Sequence, residues 1–223
     1  MKLDIFSDTI CPWCFIGKRR LERALAARPQ PGLTIRWRAF QLNPTMPLEG
    51  MDRRHYFDAK FGSAERASRI YDAMRAAGAA EGIAFAFERI ERTPNTLKSH
   101  RLLRLAATHG RQEQLLEALF RVYFLEGRDI SDTAVLLHVA ADAGLESAYV
   151  ADWLDGDAEA EAALAEDMLA RRHGINGVPC FVFNGRFALS GAQEPEALFQ
   201  LFDLAREDDA RQREEELAAA QVS

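Results

Sequence analysis

The sequence is poor in cysteine. It has three cysteines in 223 residues, at positions 11, 14 and 180. A small secreted protein held together by disulfides has more of them, in an even number, so this pattern excludes a disulfide-stapled fold. The chain is long enough to bury a core without such bridges, and its 48% hydrophobic content is ordinary for a globular protein. The pair Cys11 and Cys14 therefore indicates chemistry and not stapling.

Long apolar runs and an excess of positive charge are also missing. No stretch reaches the roughly 20 apolar residues of a membrane span. The formal net charge of -6 gives no general attraction to nucleic acid or to anionic lipid. The first residues, MKLDIFSDTICPWC, place Asp4 and Asp8 where a signal peptide would need its apolar run. We therefore expect a cytoplasmic protein that binds neither nucleic acid nor membranes.

The cysteine pair falls at a predicted strand-to-helix junction. Residues 2–7 alternate as a strand does, and the following FIGKRRLERALAAR has helical spacing until Pro29. Residues 33–39 alternate again, which completes a strand-helix-strand unit of an α/β sheet. On the predicted helix, Lys18, Arg19 and Arg20 are expected to solvate the outer face.

Residues from about 51 to 173 show helical periodicity without a repeat signature, which indicates an insertion. Five of these predicted helices end at a glycine, the residue that helix C-caps favour: Gly78, Gly110, Gly127, Gly144 and Gly174. After the insertion, CFVF predicts a buried strand, Asn184-Gly185 predicts a type I′ hairpin turn, and Pro195 opens a last helix.

Two cysteines three positions apart at a helix start lie on one side of its first turn, close enough for a disulfide. Cys11 would lie beside the unpaired N–H groups of that turn, which stabilise a thiolate, so we expect it to attack and the deeper Cys14 to resolve. Pro12 suits the first helical turn, and Trp13 offers an apolar surface to a partner, so both are candidates to contact the substrate.

Two other interpretations of the pair are less favoured. A zinc site needs two more ligands, for which Cys180 and His173 are the nearest candidates, and there is no second Cys-x-x-Cys, so we expect no metal. A purely structural pair leaves the Pro-Trp insert unexplained. A redox pair at a strand-to-helix junction is favoured.

The order of these features resembles the DsbA-like branch of the thioredoxin superfamily, and within it the FrnE-type group. The matching pieces are SDTICPWCFIGK, FQLNP, YFDAKFG, PNTLKSHRLL, YFLEGRDISD and GINGVPCFVFNGRFALSGAQ. The resemblance implies an α/β thioredoxin fold with a large helical insertion: residues 1–45 and 172–223 form the thioredoxin-fold domain and residues 46–171 the inserted helical domain.

The resemblance also implies a function, that of a thiol-disulfide oxidoreductase acting on a thiol- or disulfide-bearing protein or a small thiol. Cys11 would be the nucleophile, Cys14 the resolving thiol, and Pro179 a cis-proline facing them. The backbone of Val178 would pair with a bound substrate strand. Both a monomer and a homodimer fit the pattern. Cys180 is either a small buried strand residue or a third thiol near the site.

The main alternative comes from a sister group, the glutathione-dependent 2-hydroxychromene-2-carboxylate isomerases and kappa-class glutathione transferases. These have a serine at the position matching Cys11. PNTLKSHR and SGAQ resemble parts of their glutathione-binding regions, so Asn95, Ser190 and Gly191 are candidates to bind glutathione as a co-substrate. No other cofactor is expected. Asn95 fits a helix cap equally well. Having both cysteines favours disulfide exchange, and a non-enzymatic holdase is a third option.

Overall fold

The computed structural model describes residues 1–62 and 64–222. The first part of the chain contains β1 (Lys2–Ser7), α1 (Pro12–Ala27), β2 (Thr34–Ala39), β3 (Met51–Asp52), α2 (Arg53–Phe61) and α3 (Ala64–Ala80). A 3-10 turn (Phe87–Arg89), β4 (Arg92–Thr93), α4 (Leu97–Thr108), α5 (Gln112–Phe124), α6 (Thr133–Asp142), α7 (Ser147–Asp155) and α8 (Ala160–Arg172) follow. The chain ends with β5 (Cys180–Phe183), β6 (Phe187–Ser190) and α9 (Pro195–Val222).

Four strands form the central sheet, in the order β2-β1-β5-β6. β1 and β2 are parallel, joined through α1, whereas β5 runs antiparallel to β1 and β6 antiparallel to β5. This is the expected α/β thioredoxin fold: a strand-helix-strand unit and a hairpin followed by a helix, with the segments α2 to α8 between them. The domain boundaries at residues 45/46 and 171/172 stay a prediction.

Strand alternation gives the sheet two buried faces. Ile5 and its partner Phe181 join the main hydrophobic core with α1, and Phe183 on the same face contacts Phe202 of α9, ring centroids 5.6 Å apart. The next residue pair, Phe6 and Cys180, packs on the opposite face with Phe40 and with Ala170 of α8. Because successive strand residues point to opposite faces, Cys180 faces away from α1.

The edge strand β2 is covered by side chains of the insertion. An edge strand presents unpaired backbone groups that could recruit another chain. Three N–H groups along this edge donate instead to buried or half-buried side chains of α5 and α8: Trp37 to Gln112 Oε1 at 3.0 Å, Ala39 to Glu166 Oε2 at 2.8 Å and Gln41 to Asp167 Oδ1 at 2.8 Å. The helical insertion therefore covers the sheet and also supplies hydrogen-bond acceptors to its free edge.

The cations of α1 are placed differently from the prediction. The side chain of Lys18 is only 3% exposed and forms ion pairs with Glu113 and Glu117 of α5, at 2.8 and 3.0 Å. Burial lowers the pKa of Lys18, but the neighbouring carboxylates raise it by more. Arg20 donates to the carbonyl of Ala192 at 2.6 Å. The prediction that these cations solvate the outer face is wrong, because α5 and the loop after β6 supply acceptors to them.

The turn predictions are largely confirmed. Glycines with positive φ follow four of the predicted helices, at Gly110, Gly127, Gly144 and Gly174, and Asn184 and Gly185 have φ of 50° and 68°, as a type I′ turn requires. Gly78 is the exception. It lies inside α3, where a Cβ atom would come within 2.4 Å of the Phe85 ring, so the glycine permits close packing and does not end the helix.

None of the helices among the described residues is long and apolar enough to cross a membrane.

We predict that Gly17→Ala destabilises the protein. A Cβ at this position of α1 would lie 2.9 Å from Pro179 Cγ and 3.3 Å from Phe181 Cζ. Alanine favours a helix over glycine by roughly 0.5–1 kcal/mol, but overpacking of this kind costs roughly 1–3 kcal/mol. The free energy of unfolding, measured in urea, is therefore expected to fall. Gly177→Ala is the control, since no atom lies within 4 Å of its Cβ position. Equal stability of both variants would contradict the packing of α1 on Pro179.

Candidate dithiol site

Cys11 is the N-cap residue of α1, and Pro12 occupies the first helical position. The Cys11 backbone is extended, with φ of -92° and ψ of 111°, and its carbonyl accepts from the N–H of Cys14 at 3.0 Å. Its own N–H donates to the carbonyl of Asp8 at 3.0 Å. The tight turn after β1 therefore places the Cys11 side chain at the helix end where unpaired N–H groups collect.

A cis peptide bond between Val178 and Pro179 lies opposite Cys11. The Cys11 thiol is 3.5 Å from the Val178 carbonyl oxygen and donates to it. Pro179 is buried against Gly17, and its carbonyl accepts from the N–H of Gly191 at 2.8 Å. The structure therefore places Cys11 against the residue before Pro179, although the two segments are far apart in the sequence.

Cys14 lies one turn further into α1 and is completely buried. Burial raises the pKa of the Cys14 thiol well above the ordinary value of 9.0, and the neighbouring Cys11 raises it further. The Ser7 hydroxyl and the backbone N–H of Asp8 face the same sulfur and lower its pKa by less. Cys14 is therefore a thiol at neutral pH and has to lose a proton before it can attack a disulfide.

Cys180 fits the simpler of its two interpretations. All three cysteines are free thiols in this structure, and Cys180 is 1% exposed on the sheet face opposite α1. Burial raises its pKa, while a long contact from the Ser190 hydroxyl, 3.9 Å from the sulfur, lowers it. The geometry favours a small buried strand residue. Throughout residues 1–62 and 64–222, no group of three or more His, Cys, Asp and Glu residues is arranged to hold a metal ion.

The predicted binding residues fall into two sets. Pro12, Trp13 and Val178 surround Cys11 and are half-buried, so part of each remains accessible to a partner. Gly191 adjoins Pro179 through its N–H bond, and Ser190 before it is exposed. These residues share one end of the sheet, and their roles in binding stay a prediction.

Asn95 has a different environment. It is buried just before α4, where its Oδ1 accepts from the N–H of Leu97 at 2.9 Å. Its Nδ2 donates to the carbonyl of Met46 at 2.7 Å. Both ends of the amide are therefore used within the chain: one accepts from the first N–H of α4, whose N-cap is Thr96, and the other holds the loop after β2.

Two functional candidates were missed by sequence reasoning. Asp8 is completely buried, and its Oδ2 accepts from the N–H of Leu42 at 2.7 Å. His100 of α4 is 3% exposed, with Nε2 lying 3.4 Å from Asp8 Oδ1. Both residues occur in the pieces SDTICPWC and NTLKSH, but no local pattern indicates that an acid in a turn and a histidine in a distant helix are buried together.

This geometry defines the class of protein. A Cys-x-x-Cys at the start of a helix, facing a cis-proline at the start of an adjacent strand in a β2-β1-β5-β6 sheet, is the arrangement of a dithiol protein with a thioredoxin fold. The chain matches the DSBA-like thioredoxin domain family over residues 2–203 and belongs to that family.

Solved structures agree with this assignment. The chain is similar to a probable DsbA oxidoreductase from Streptomyces coelicolor, with 36% identity, a TM-score of 0.85, and 93% and 90% of the two chains covered. A 2-hydroxychromene-2-carboxylate isomerase shares the fold with 16% identity and a TM-score of 0.68, covering 96% and 98%. The cytosolic disulfide reductase DsbM from Pseudomonas aeruginosa shares it with 22% identity and a TM-score of 0.62, covering 99% and 100%.

We predict that Cys14 makes the reduced protein less stable at alkaline pH. Above about pH 9 the unfolded chain loses the Cys14 proton, whereas the folded protein retains it because the folded pKa is raised. The unfolded state then binds fewer protons, so the free energy of unfolding falls with pH, by at most about 1.4 kcal/mol per unit. Cys14→Ser lacks this ionisation.

The test is urea denaturation of both reduced proteins between about pH 8 and pH 10.5, the range around the unfolded thiol value. Contributions from Cys180 and from the buried tyrosines are present in both proteins and cancel in the comparison. A steeper fall in wild type than in Cys14→Ser is expected. Equal slopes would show that Cys14 is not held as a buried thiol.

Proposed function

We propose that this protein is a cytoplasmic thiol-disulfide oxidoreductase of the FrnE type, working through Cys11 and Cys14 on proteins or small thiols. One observation carries the proposal. The Cys11 sulfur lies at the N-cap of α1, 3.5 Å from the Val178 carbonyl before the cis-proline, with Cys14 one turn behind it. The Cys11 sulfur can thus be attacked from two sides, by Cys14 and by a sulfur bound along Val178.

The reducing direction takes two steps. The Cys11 thiolate attacks a substrate disulfide, whose S–S bond breaks, and the departing sulfur takes a proton from solvent. Cys14 then loses its proton and attacks the Cys11 sulfur in the mixed disulfide. The second substrate sulfur leaves as a thiolate and a Cys11–Cys14 disulfide remains, so two electrons pass from the dithiol to the substrate. The reverse sequence oxidises a substrate dithiol.

The surroundings of Cys11 support a broad substrate range. The Val178 backbone lies next to the Cys11 sulfur, where it can pair with an extended substrate segment through main-chain hydrogen bonds that are independent of sequence. Half-buried Trp13 and Pro12 add a small apolar surface on the other side. A site that binds the substrate main chain and contacts only a small apolar area does not depend on substrate sequence. Such a site suits a catalyst that acts on many thiol-bearing proteins.

Glutathione is the small thiol we propose as co-substrate. A structure of DsbM, which shares the fold, contains glutathione. In this chain the turn at Ser190 and Gly191 is hydrogen-bonded to Pro179 and therefore lies beside the site, where a small thiol joined to Cys11 would meet it. The alternative activity, a glutathione-dependent isomerase or transferase, is supported by the fold shared with 2-hydroxychromene-2-carboxylate isomerase. The paired cysteines favour disulfide exchange.

We predict that Cys11→Ser abolishes turnover, because it removes the attacking sulfur while keeping a side chain of similar size. Insulin reduction with dithiothreitol as donor, and reoxidation of a scrambled protein, are both expected to fall to the uncatalysed rate. Cys180→Ser is the matched control and should retain wild-type turnover, since Cys180 lies on the other face of the sheet.

Glutathione binding to the wild-type protein, measured by calorimetry, separates the two activities. Turnover in wild type that disappears with Cys11→Ser supports the oxidoreductase. Absence of turnover in wild type, together with glutathione binding at micromolar strength, would contradict it and favour the isomerase or transferase.

A further inference from the structure

Three buried polar atoms beside the dithiol have no hydrogen-bond partner. Considering residues 1–62 and 64–222 together, Ser7 Oγ, Asp8 Oδ1 and His100 Nε2 belong to the small set of buried side-chain atoms in this condition. The three residues are 3%, 0% and 3% exposed. Buried polar groups are normally satisfied, so several unsatisfied ones at a single place indicate either bound water or a functional role.

A small cavity lies between two of these residues, Ser7 and His100. It has a volume of about 10 Å³ and is lined by Ser7, Thr9 and His100, together with residues of β2, α4 and α5. This is close to the room that one water molecule needs, and a buried water requires two to four polar partners. The Ser7 hydroxyl and the His100 ring provide such partners.

The same hydroxyl faces the resolving thiol. Ser7 Oγ lies close enough to the Cys14 sulfur to lower its pKa, without a hydrogen bond of normal geometry to it. Ser7 therefore stands between Cys14 on one side and the cavity with His100 on the other. Beyond His100 lies the Asp8 carboxylate, at 3.4 Å. The order of groups is thiol, hydroxyl, cavity, imidazole and carboxylate.

We propose that the Asp8–His100 pair accepts the proton of Cys14 through the Ser7 hydroxyl and one water molecule in this cavity. This rests on the proposed function, because Cys14 loses its proton only when it attacks the mixed disulfide on Cys11. In that step the Cys14–Cys11 bond forms, the bond from Cys11 to the substrate sulfur breaks, and the proton moves to the pair. In the oxidising direction the pair returns the proton to the departing Cys14 thiolate.

The pair is held in a fixed position. The second carboxylate oxygen of Asp8 accepts from the Leu42 N–H, so the carboxylate cannot rotate away. The hydroxyls of Thr9 and Ser99 are 2.8 Å apart, which fastens the start of α4 to the turn after β1. An imidazolium beside a carboxylate forms a neutral pair, and a buried site tolerates a neutral pair better than a lone charge.

Other ionisable groups surround the pair and are already engaged. Arg104 and Arg38 line the cavity, and both form ion pairs with Glu166. Tyr123 of α5 interacts with Asp8 electrostatically, and its hydroxyl accepts from Arg53 at 3.2 Å. The Cys14 thiol lies on the other side of the Ser7 hydroxyl. Within residues 1–62 and 64–222, His100 and Asp8 have no ion-pair partner other than each other.

The test follows the two thiol steps separately, in a Cys180→Ser background that leaves two thiols per chain. One equivalent of 5,5′-dithiobis(2-nitrobenzoate) is mixed with the reduced protein in a stopped-flow instrument. Attack by Cys11 releases the first thionitrobenzoate, and attack by Cys14 on the resulting mixed disulfide releases the second. The second phase therefore reports resolution alone.

His100→Gln is expected to leave the first phase unchanged and to slow the second by about 100-fold near neutral pH, the usual size of such a proton-transfer contribution. The rate of its second phase should then rise about tenfold per pH unit, as for a thiol that must ionise unaided, whereas the wild-type rate should rise less steeply. Asp8→Asn should behave in the same way. His138→Gln is the control, because His138 forms a similar pair with Asp142, at 3.6 Å, on the exposed face of α6.

A second phase of His100→Gln with the wild-type rate and pH dependence would overturn the proposal. If that variant does not fold, Ser7→Ala decides, because it removes only one hydroxyl: a slowed second phase supports the relay, and an unchanged one overturns it. Absence of the first phase in the parent protein would instead contradict the proposed function itself. The two failures are therefore distinguishable.

Discussion

The antiparallel pairing of β1 with β5 is the interaction on which the rest of the site depends. Its register, with Phe6 opposite Cys180, brings the segment before β5 to the end of β1, where α1 begins. Gly17 then allows Pro179 to approach the helix, and the Cys11 thiol reaches the Val178 carbonyl. A Cys-x-x-Cys segment by itself supports metal binding or structure as readily as redox chemistry. The strand pairing places the Val178 backbone opposite the Cys-x-x-Cys segment, so a substrate sulfur bound along this backbone can reach Cys11.

The helical insertion takes part in this environment. Its helices α5 and α8 supply the acceptors for the free edge of β2, and carboxylates of α5 neutralise Lys18 on the helix that carries the dithiol. The first turn of α4 places His100 beside Asp8. The insertion therefore encloses the inner side of the dithiol, where Cys14 is fully buried, while Val178 before the cis-proline remains half-buried.

Local patterns predicted much of this arrangement. Alternation identifies β1 and β2, a continuous apolar run identifies β5, helical spacing identifies α1, and the Asn184-Gly185 pair identifies the hairpin, because each depends on neighbours in sequence. The errors concern contacts between distant segments. Lys18 has the spacing of a surface residue, but its partners Glu113 and Glu117 lie on α5. Gly78 has the sequence position of a helix C-cap, but glycine is needed there because the Phe85 ring packs directly against it. The Asp8–His100 pair has no local signal, since its two halves meet only after the insertion has folded onto the sheet.

A map of the disulfide that the protein forms tests directly whether Cys11 and Cys14 are a redox pair. The protein is oxidised with glutathione disulfide, unfolded, alkylated and digested with trypsin, which places Cys11 and Cys14 in peptide 3–18 and Cys180 in peptide 173–186. We expect an internal disulfide in peptide 3–18, with the Cys180 peptide alkylated, and two alkyl groups on peptide 3–18 after reduction. A disulfide joining the two peptides, or two alkylated thiols in peptide 3–18 after oxidation, would contradict it.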